Sequence, residues 1–358
     1  MREDMKKDTS INKLLRVTAP GTGLREGLEN VLRAKTGALI VVGQTETVDK
    51  IVDGGFHIDC EFTPANLYEL AKMDGAIIIS EDMKRILIAN AQLTPDSSIP
   101  SFETGTRHRT AERVAKQTGQ LVICISQRRD VITLYQSNFR YTLKDISVIL
   151  SKANQAINTL ERYKAVLDQS LTNLSALEFE ELVTLHEVAM VMQRIEMVLR
   201  IKNEIRRYIT ELGTEGRLIS MQLDELVSKV DEEAYLLVKD FCRETELTPH
   251  QILTELHSLS ADDLLDGEAI VRVLGYNTDV NIADEPVSSR GYRILTKIPR
   301  LPHPVIENLV SHFSSITRIL SASIEELDDV EGIGEVRARS IKEGLRRIQE
   351  QVFIDRHI

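Results

Sequence analysis

Two short segments of this sequence carry residue types that could act on a polyphosphate. Asp74-Gly75-Ala76 lies between a helical pattern and a run of isoleucines, which predicts a helix-to-strand turn. About 30 residues later, Gly-Thr-Arg-His-Arg-Thr at 105–110 opens a second helical pattern. A carboxylate can hold a divalent metal or an attacking hydroxyl, and arginines at a helix N-terminus can neutralise phosphates. The residues alone indicate such a site but do not choose its reaction.

Both segments also have simpler interpretations. A lone aspartate at a turn commonly caps backbone, and Arg107-His108-Arg109 could be a solvated helix start with a structural histidine. The sequence has no GxxxxGK[ST] phosphate loop, since Pro20-Gly21-Thr22-Gly23 lacks the lysine, and it has no G-x-S-x-G elbow. These absences argue against a P-loop NTPase and against an α/β-hydrolase.

Residues 12–147 alternate helical and strand patterns that could position the two segments. Thr63-Pro64 is a good helix start. Apolar runs predict buried strands at 38–42, 77–79, 86–88, 121–125 and 131–135. Strands of this kind with helices between them favour a mixed sheet covered on both faces.

The strand patterns stop after about residue 148. Up to about 275, apolar residues recur at spacings of three and four, which predicts a helical spine. The polar, turn-rich stretch 277–290 reads as a linker. The predicted fold is therefore multidomain α/β plus all-α, with a mixed-sheet domain at 1–147, a helical spine at 148–290 and a small helical module at 291–358.

The C-terminal module contains a candidate phosphate-binding turn. Gly332-Ile333-Gly334 resembles the helix-hairpin-helix motif, in which glycines allow close approach to a phosphate and the next helix points free N–H groups at it. The Ile333 side chain would fill the space between the two helices of the hairpin. Binding should be sequence-independent and salt-sensitive. The candidate DNA-binding residues are Gly332, Ile333, Gly334, Arg337, Arg339 and Lys342. A related first hairpin at 298–304 has Pro302 and Pro304 where glycines would usually stand.

Composition limits the class of protein. The net charge of −11 argues against a protein coated in basic surface, although a local DNA contact stays open. The charged segment 1–10 lacks a secretory pattern, and no apolar run approaches the roughly 18 residues of a membrane helix. Cys60, Cys124 and Cys242 are far apart and read as reduced thiols. We expect a cytoplasmic, nucleoid-associated protein without a membrane partner.

The segments 70–76 and 105–113 resemble the two signature motifs of the diadenylate cyclase family, and 52–57 matches as well. With a helical spine and terminal hairpins in this order, the whole chain is similar to bacterial members of that family. The resemblance implies condensation of two ATP into cyclic di-AMP and two pyrophosphates across a two-fold interface. It also implies a homo-octamer and a preference for branched DNA.

The resemblance further implies roles for single residues. Asp74 would coordinate Mg²⁺ or Mn²⁺ and help to activate the ribose 3′-hydroxyl, and Gly75 would let backbone approach the nucleotide. Arg107, His108 and Arg109 would grip the triphosphate, with His108 as a phosphate ligand. The complete implied ATP-binding set is Asp74, Gly75, Ala76, Leu93, Thr106, Arg107, His108, Arg109, Thr110, Ser126 and Arg128.

Three other functions stay open at this point. A non-catalytic DNA-structure sensor or repair scaffold would bind ATP without turnover. A hairpin-bearing nuclease or glycosylase would need catalytic groups near the DNA module, and no convincing pair stands there. A structural helical spacer would leave Arg107-His108-Arg109 unexplained.

Overall fold

The computed structural model describes residues 11–243, 247–277 and 281–356. The prediction for segment 1–10 lies outside these residues. The chain forms two compact units. The first contains the chain up to Asn154 together with Arg206–Ser220, and the second contains Gln155–Ile205 and the chain from Met221 onwards.

The first unit is built on a mixed sheet, as predicted. Its strands are β1 (Ala38–Val42), β2 (Val52–Asp53), β3 (Phe56–Glu61), β4 (Ala76–Ile79), β5 (Arg85–Leu93), β6 (Leu121–Ser126), β7 (Val131–Gln136) and β8 (Phe139–Thr142). Their order is β2-β5-β4-β1-β6-β7-β8, and β3 pairs with β5 beside β2. The β1–β4 pair is parallel, and the other pairs are antiparallel.

Helices cover both faces of this sheet. Successive side chains of β1 point to opposite faces, and all five are apolar and buried, so both faces need cover. Ile40 packs in one apolar cluster with residues of α1 (Gly23–Arg33) and α3 (Pro64–Leu70). Val41 packs in the opposite cluster with residues of α2 (Glu46–Asp49) and α4 (Thr106–Thr118). Thr63 caps α3 by accepting a hydrogen bond from the Asn66 amide, as its sequence predicts.

Beyond the sheet the described chain is helical. Three helices follow the first unit's strands: α5 (Ile146–Glu180), α6 (Leu185–Leu212) and α7 (Arg217–Val227). The next are α8 (Val230–Phe241), α9 (Pro249–Ser258), α10 (Ala261–Leu265) and α11 (Gly267–Val273). The last are α12 (Tyr292–Thr296), α13 (His303–Phe313), α14 (Ile316–Ser321), α15 (Ile324–Asp328) and α16 (Glu335–Asp355). Within the described ranges, none of these helices has the length and apolarity needed to span a membrane.

The stretch predicted as a linker is attached to its own unit. The amides of Leu185 and His186 donate to the carbonyls of Glu285 and Ile282, and the Val287 amide donates to Val183. Residues 278–280 lie outside the described chain. Residues 282–287 of the predicted linker thus pair along their backbone with residues 183–186, which polar, turn-rich composition does not reveal.

Candidate functional site

Several of the predicted site residues meet at one edge of the sheet. Asp74 and Gly75 directly precede β4, Leu93 ends β5, and Ser126 ends β6. Ala76 pairs with Leu39 and with Ala91, and Ile125 pairs with Ala38. Because β4 runs parallel to β1 while β5 and β6 run antiparallel, the start of β4 and the ends of β5 and β6 lie together.

The two sequence motifs contact each other directly. The Arg107 guanidinium, in the first turn of α4, lies 3.4 Å from Asp74 Oδ1 (Nη2 to Oδ1). The Asp74 side chain is otherwise fully exposed, at 104% relative accessibility. Arg107 reaches this position past Gly37, where an added Cβ would lie 2.1 Å from Arg107 Nη1. Sequence reasoning missed Gly37, whose only signal is a glycine immediately before a buried strand.

The backbone around Gly75 is held by Asn90. The Asn90 side-chain oxygen accepts a hydrogen bond from the Gly75 amide at 3.1 Å, and Asn90 itself has φ +56°. A Cβ on Gly75 would lie 2.3 Å from the Asn90 carbonyl carbon. The glycine is thus required by close packing inside the protein, which is a different physical reason from the close approach to nucleotide that the resemblance implies.

The N-terminus of α4 lacks a side-chain cap. Gly105 is the N-cap and supplies no side-chain cap, so the first-turn N–H groups are available to an outside acceptor. Thr106 and Arg109 are exposed there, and Thr110 is half-buried. Arg128 is exposed in the turn after β6, close in sequence to Ser126. Cationic side chains and first-turn N–H groups without a side-chain cap therefore lie together at the N-terminus of α4.

His108 is the exception among these residues because it faces inward. It is 7% exposed, its Nδ1 lies 3.5 Å from Cys124 Sγ, and its ring meets Tyr135 edge-on at 6.4 Å. Among the described residues, its Nε2 has no hydrogen-bond partner. Burial lowers the pKa of His108, Glu103 partly opposes this, and Arg129 and Arg140 lower it further. The imidazole is therefore neutral near pH 7 in the free site.

The C-terminal turn has the geometry that its sequence predicts. Gly332 has φ +84°, Ile333 is 7% exposed within the apolar core of the second unit, and Gly334 caps α16. Two of the predicted phosphate-binding cations contact α16 or its turn, since Arg337 donates to the Gly332 carbonyl and Arg339 pairs with Glu335. The third, Lys342, donates to the Leu320 carbonyl at 2.8 Å.

The first hairpin repeats this backbone, with an offset of 32 residues between the starts of α13 at His303 and of α16 at Glu335. Arg300, at φ +61°, therefore takes the position of Gly332, and Pro302 takes that of Gly334 as N-cap. Pro304 falls inside α13, where a glycine is not needed. The prediction that Pro302 and Pro304 replace the two glycines is thus wrong for Pro304, because Arg300 occupies the left-handed position.

Comparison with known proteins assigns the family. Residues 25–139 match the family described as DisA bacterial checkpoint controller nucleotide-binding, and residues 143–283 match its linker region. Residues 292–347 match the SAM-like helix-hairpin-helix tandem. The DNA integrity scanning protein DisA of Carboxydothermus hydrogenoformans is 64% identical over 346 residues, or 96% of this chain and 98% of that protein. This chain belongs to the DisA family.

Other relatives agree with this assignment. The DisA protein of Bacillus cereus strain B4264 is 60% identical, and that of Bacillus thuringiensis is 59% identical, each over 100% of both chains. A solved structure of a hypothetical membrane spanning protein from Bacillus cereus has a TM-score of 0.31 at 23% identity, covering 34% of this chain and 62% of that one. Membership in the DisA family confirms the predicted fold class and the predicted enzyme class, diadenylate cyclase with a DNA-binding hairpin module.

Proposed function

We propose that the sheet edge around Asp74 and Arg107 is one half-site of the cyclase, in which two ATP molecules become cyclic di-AMP and two pyrophosphates. The contact between Asp74 and Arg107 carries this proposal, because it joins the carboxylate of one motif to the phosphate-binding cations of the other. Arg107, Arg109, Thr106 and Thr110 would bind the triphosphate at the open end of α4, with Ser126 and Arg128 across from them. Leu93 would line the adenine pocket, and Ala76, which is 2% exposed, would contribute through its backbone.

A divalent cation fits this half-site through Asp74. A fully exposed carboxylate is the hard oxygen ligand that Mg²⁺ and Mn²⁺ favour, and such ions commonly bind one or two carboxylates together with substrate phosphates. No group of three or more potential metal ligands occurs among the described residues, so the nucleotide would complete the coordination. When bound, the ion would neutralise phosphate charge and favour the 3′-hydroxyl as nucleophile.

The chain's own residues contribute mainly by orientation and charge. Each 3′-hydroxyl attacks the α-phosphate of the other ATP, and pyrophosphate leaves from the side where Arg107 and Arg109 neutralise it. His108 starts neutral, and its buried Nε2 has no hydrogen-bond partner among the described residues, so a phosphate could bind this nitrogen only after the ring turns outward. Because the product is symmetric, two identical half-sites facing across a two-fold axis form the simplest complete catalyst. We propose a homo-octamer that pairs its cyclase domains in this way.

The hairpin module would add DNA binding to this enzyme. Both turns present helix N-termini, and Arg300 in the first turn adds an exposed cation beside the gap between the hairpins. We expect phosphate contacts from both turns, little base preference and a preference for branched DNA. The domain limits 1–147, 148–290 and 291–358 remain our proposal, as do a cytoplasmic, nucleoid-associated location and a role in DNA-damage control.

One assay tests the cyclase half-site. Purified protein is incubated with ATP and either Mg²⁺ or Mn²⁺, and cyclic di-AMP is measured by mass spectrometry, with Asp74→Asn as the matched variant. Product from the unmodified chain alone would support the assignment of Asp74. Equal product from both proteins would remove Asp74 from the site, and absence of product with both metals would favour a non-catalytic scaffold that senses nucleotide and binds DNA.

A further inference from the structure

The loop that leads into α4 is attached to α4 by the helix's own side chains. Arg113 donates to the Ile99 carbonyl at 2.9 Å, and Lys116 donates to the Pro100 carbonyl at 2.8 Å. Glu112 accepts from the Ser101 hydroxyl and from the Phe102 amide. The loop therefore has a fixed path, although Phe102 on it is 93% exposed.

Glu103 ends this pinned stretch and connects it to the phosphate-binding residues. Its carboxylate, 9% exposed, accepts from the Tyr135 hydroxyl and from Arg140 Nε, each at 2.7 Å. Its main-chain carbonyl accepts from Arg109 Nε at 3.3 Å. Tyr135, which is 1% exposed, contacts the His108 ring with its edge. A single residue thus contacts Arg109 directly and His108 through Tyr135.

Burying a carboxylate is costly unless it is paired and hydrogen-bonded, and Arg140 and Tyr135 provide both for Glu103. Burial would raise the pKa of Glu103, but the hydrogen bonds from Tyr135 and Arg140 outweigh it and the pKa is lowered. The group is ionised at neutral pH, so its charge acts on the neighbouring His108. No step of the proposed cyclase reaction uses Glu103 itself.

We propose that Glu103 is a positioning residue for the cyclase, which holds the His108 ring and the Arg109 guanidinium in place at the N-terminal end of α4. This inference rests on the proposed half-site. Glu103 has no contact with the reacting atoms. Its carboxylate fixes Tyr135 against the His108 ring, and by holding the loop to Tyr135 and Arg140 it keeps in place the Glu103 main-chain carbonyl that accepts from Arg109. Its charge also favours the imidazolium when a triphosphate binds.

Glu112 provides a matched control on the same loop. Its carboxylate is similarly shielded, at 12% exposure, and it bonds to Ser101, Phe102 and Lys116 but forms no hydrogen bond or ion pair with the side chains of the three motif residues at 107–109. If Glu103 only stabilises the loop, Glu103→Ala and Glu112→Ala should have parallel effects. If Glu103 positions the motif, only the former should slow the reaction beyond its effect on stability.

The first readout is kinetic. We expect Glu103→Ala to lower kcat roughly tenfold or more with a much smaller change in KM, because misplaced groups lose interactions specific to the transition state. Glu103→Gln can still accept both hydrogen bonds through its amide oxygen and should recover part of kcat. Glu112→Ala should stay within about twofold of the unmodified chain. Equal losses of kcat in both alanine variants, or no loss in Glu103→Ala, would overturn the proposal.

The second readout does not require activity. Hydrogen–deuterium exchange at the imidazole C2 position, followed by mass spectrometry against pH, gives the pKa of individual histidines in the intact protein. The groups facing His108 are Glu103, Arg129, Arg140, Cys124 and Tyr135, and only Glu103 raises its pKa among the charged groups that act on it. Glu103→Gln should lower the His108 pKa, and Glu112→Gln should leave it unchanged.

The two readouts separate the two levels of the proposal. An inactive unmodified chain would refute the half-site, whereas a His108 pKa that moved only in Glu103→Gln would still support the contact network. Active protein that depends on Asp74 but not on Glu103 would refute the positioning role alone.

Discussion

Arg293, in the short helix α12, and Glu178, on α5, form an ion pair that solvent does not reach. Both side chains are 0% exposed, and Arg293 also donates to the Ser175 hydroxyl at 3.0 Å. Arg293 Nε and Glu178 Oε1 have no partner in the part of the chain that the structure describes. The pair therefore fixes the start of the hairpin module against α5 at a substantial desolvation cost.

Removing one member of this ion pair should lower the free energy of unfolding. Glu178→Ala leaves a buried guanidinium unpaired, so we expect a loss of about 3–5 kcal/mol, seen as a lower midpoint of urea unfolding. Glu180→Ala on the same helix is the control, since the pair between Glu180 and Arg356 is about one-third exposed and should contribute under about 1 kcal/mol. Similar losses in the two variants would mean that the buried pair has no special role.

Asp240 should give this region an unusual pH dependence. It accepts hydrogen bonds from the amides of Gly291, Tyr292 and Arg293, and burial together with the nearby Glu178 raises its pKa to about 7. A carboxyl whose folded pKa exceeds its unfolded value stabilises the fold fully below the unfolded pKa and loses that contribution as pH rises through the folded pKa.

The measurement is the difference in unfolding midpoint between the unmodified chain and Asp240→Asn, followed from pH 4 to pH 8. As pH rises from 4 toward about 7, we expect the unmodified chain to lose stability relative to Asp240→Asn. Above about pH 7 the difference between the two midpoints should stay constant. The comparison between variants removes the opposite trend of carboxyls with lowered pKa, such as Glu307. A difference that is flat with pH would refute the raised pKa.

Much of the fold and the pairing of the two motifs could be predicted from sequence, and the misses have physical reasons. Strands β1, β4, β6 and β7 were predicted because their apolar runs are buried on both faces. The strand β3, largely exposed from Phe56 to Glu61, has no such run, and β2 and β8 are short. Asn90 and Glu103 act through neighbours distant in sequence, 15 residues away at Gly75 and 32 at Tyr135, which no local pattern reveals.

We expect Arg300 to lower the stability of its turn through its positive φ and to raise DNA affinity through its side chain. A non-glycine residue at φ +61° costs roughly 1 kcal/mol or more, so Arg300→Gly should raise the unfolding midpoint. If Arg300 contacts a phosphate, the same change should weaken DNA binding and reduce the slope of log K against log salt by about one unit. Arg318→Ala, which removes an exposed arginine from α14, is the control. An unchanged salt slope in Arg300→Gly would exclude the phosphate contact.

Two glycines of the proposed half-site should respond differently to alanine. At Gly37 the added Cβ would lie 2.1 Å from the end of the Arg107 side chain, which can swing away, and 3.2 Å from the Ile125 carbonyl oxygen, which has to give by only a few tenths of an ångström. Gly37→Ala should therefore fold but lose cyclic di-AMP synthesis as Arg107 leaves Asp74. At Gly75 the added Cβ meets the Asn90 backbone at 2.3 Å, which cannot yield without disturbing β5, so Gly75→Ala should also unfold at a lower temperature. Thermal melting and product formation, measured on both variants, separate the two cases. A destabilised Gly37→Ala protein, or an active one, would show that Arg107 does not depend on the space that Gly37 leaves.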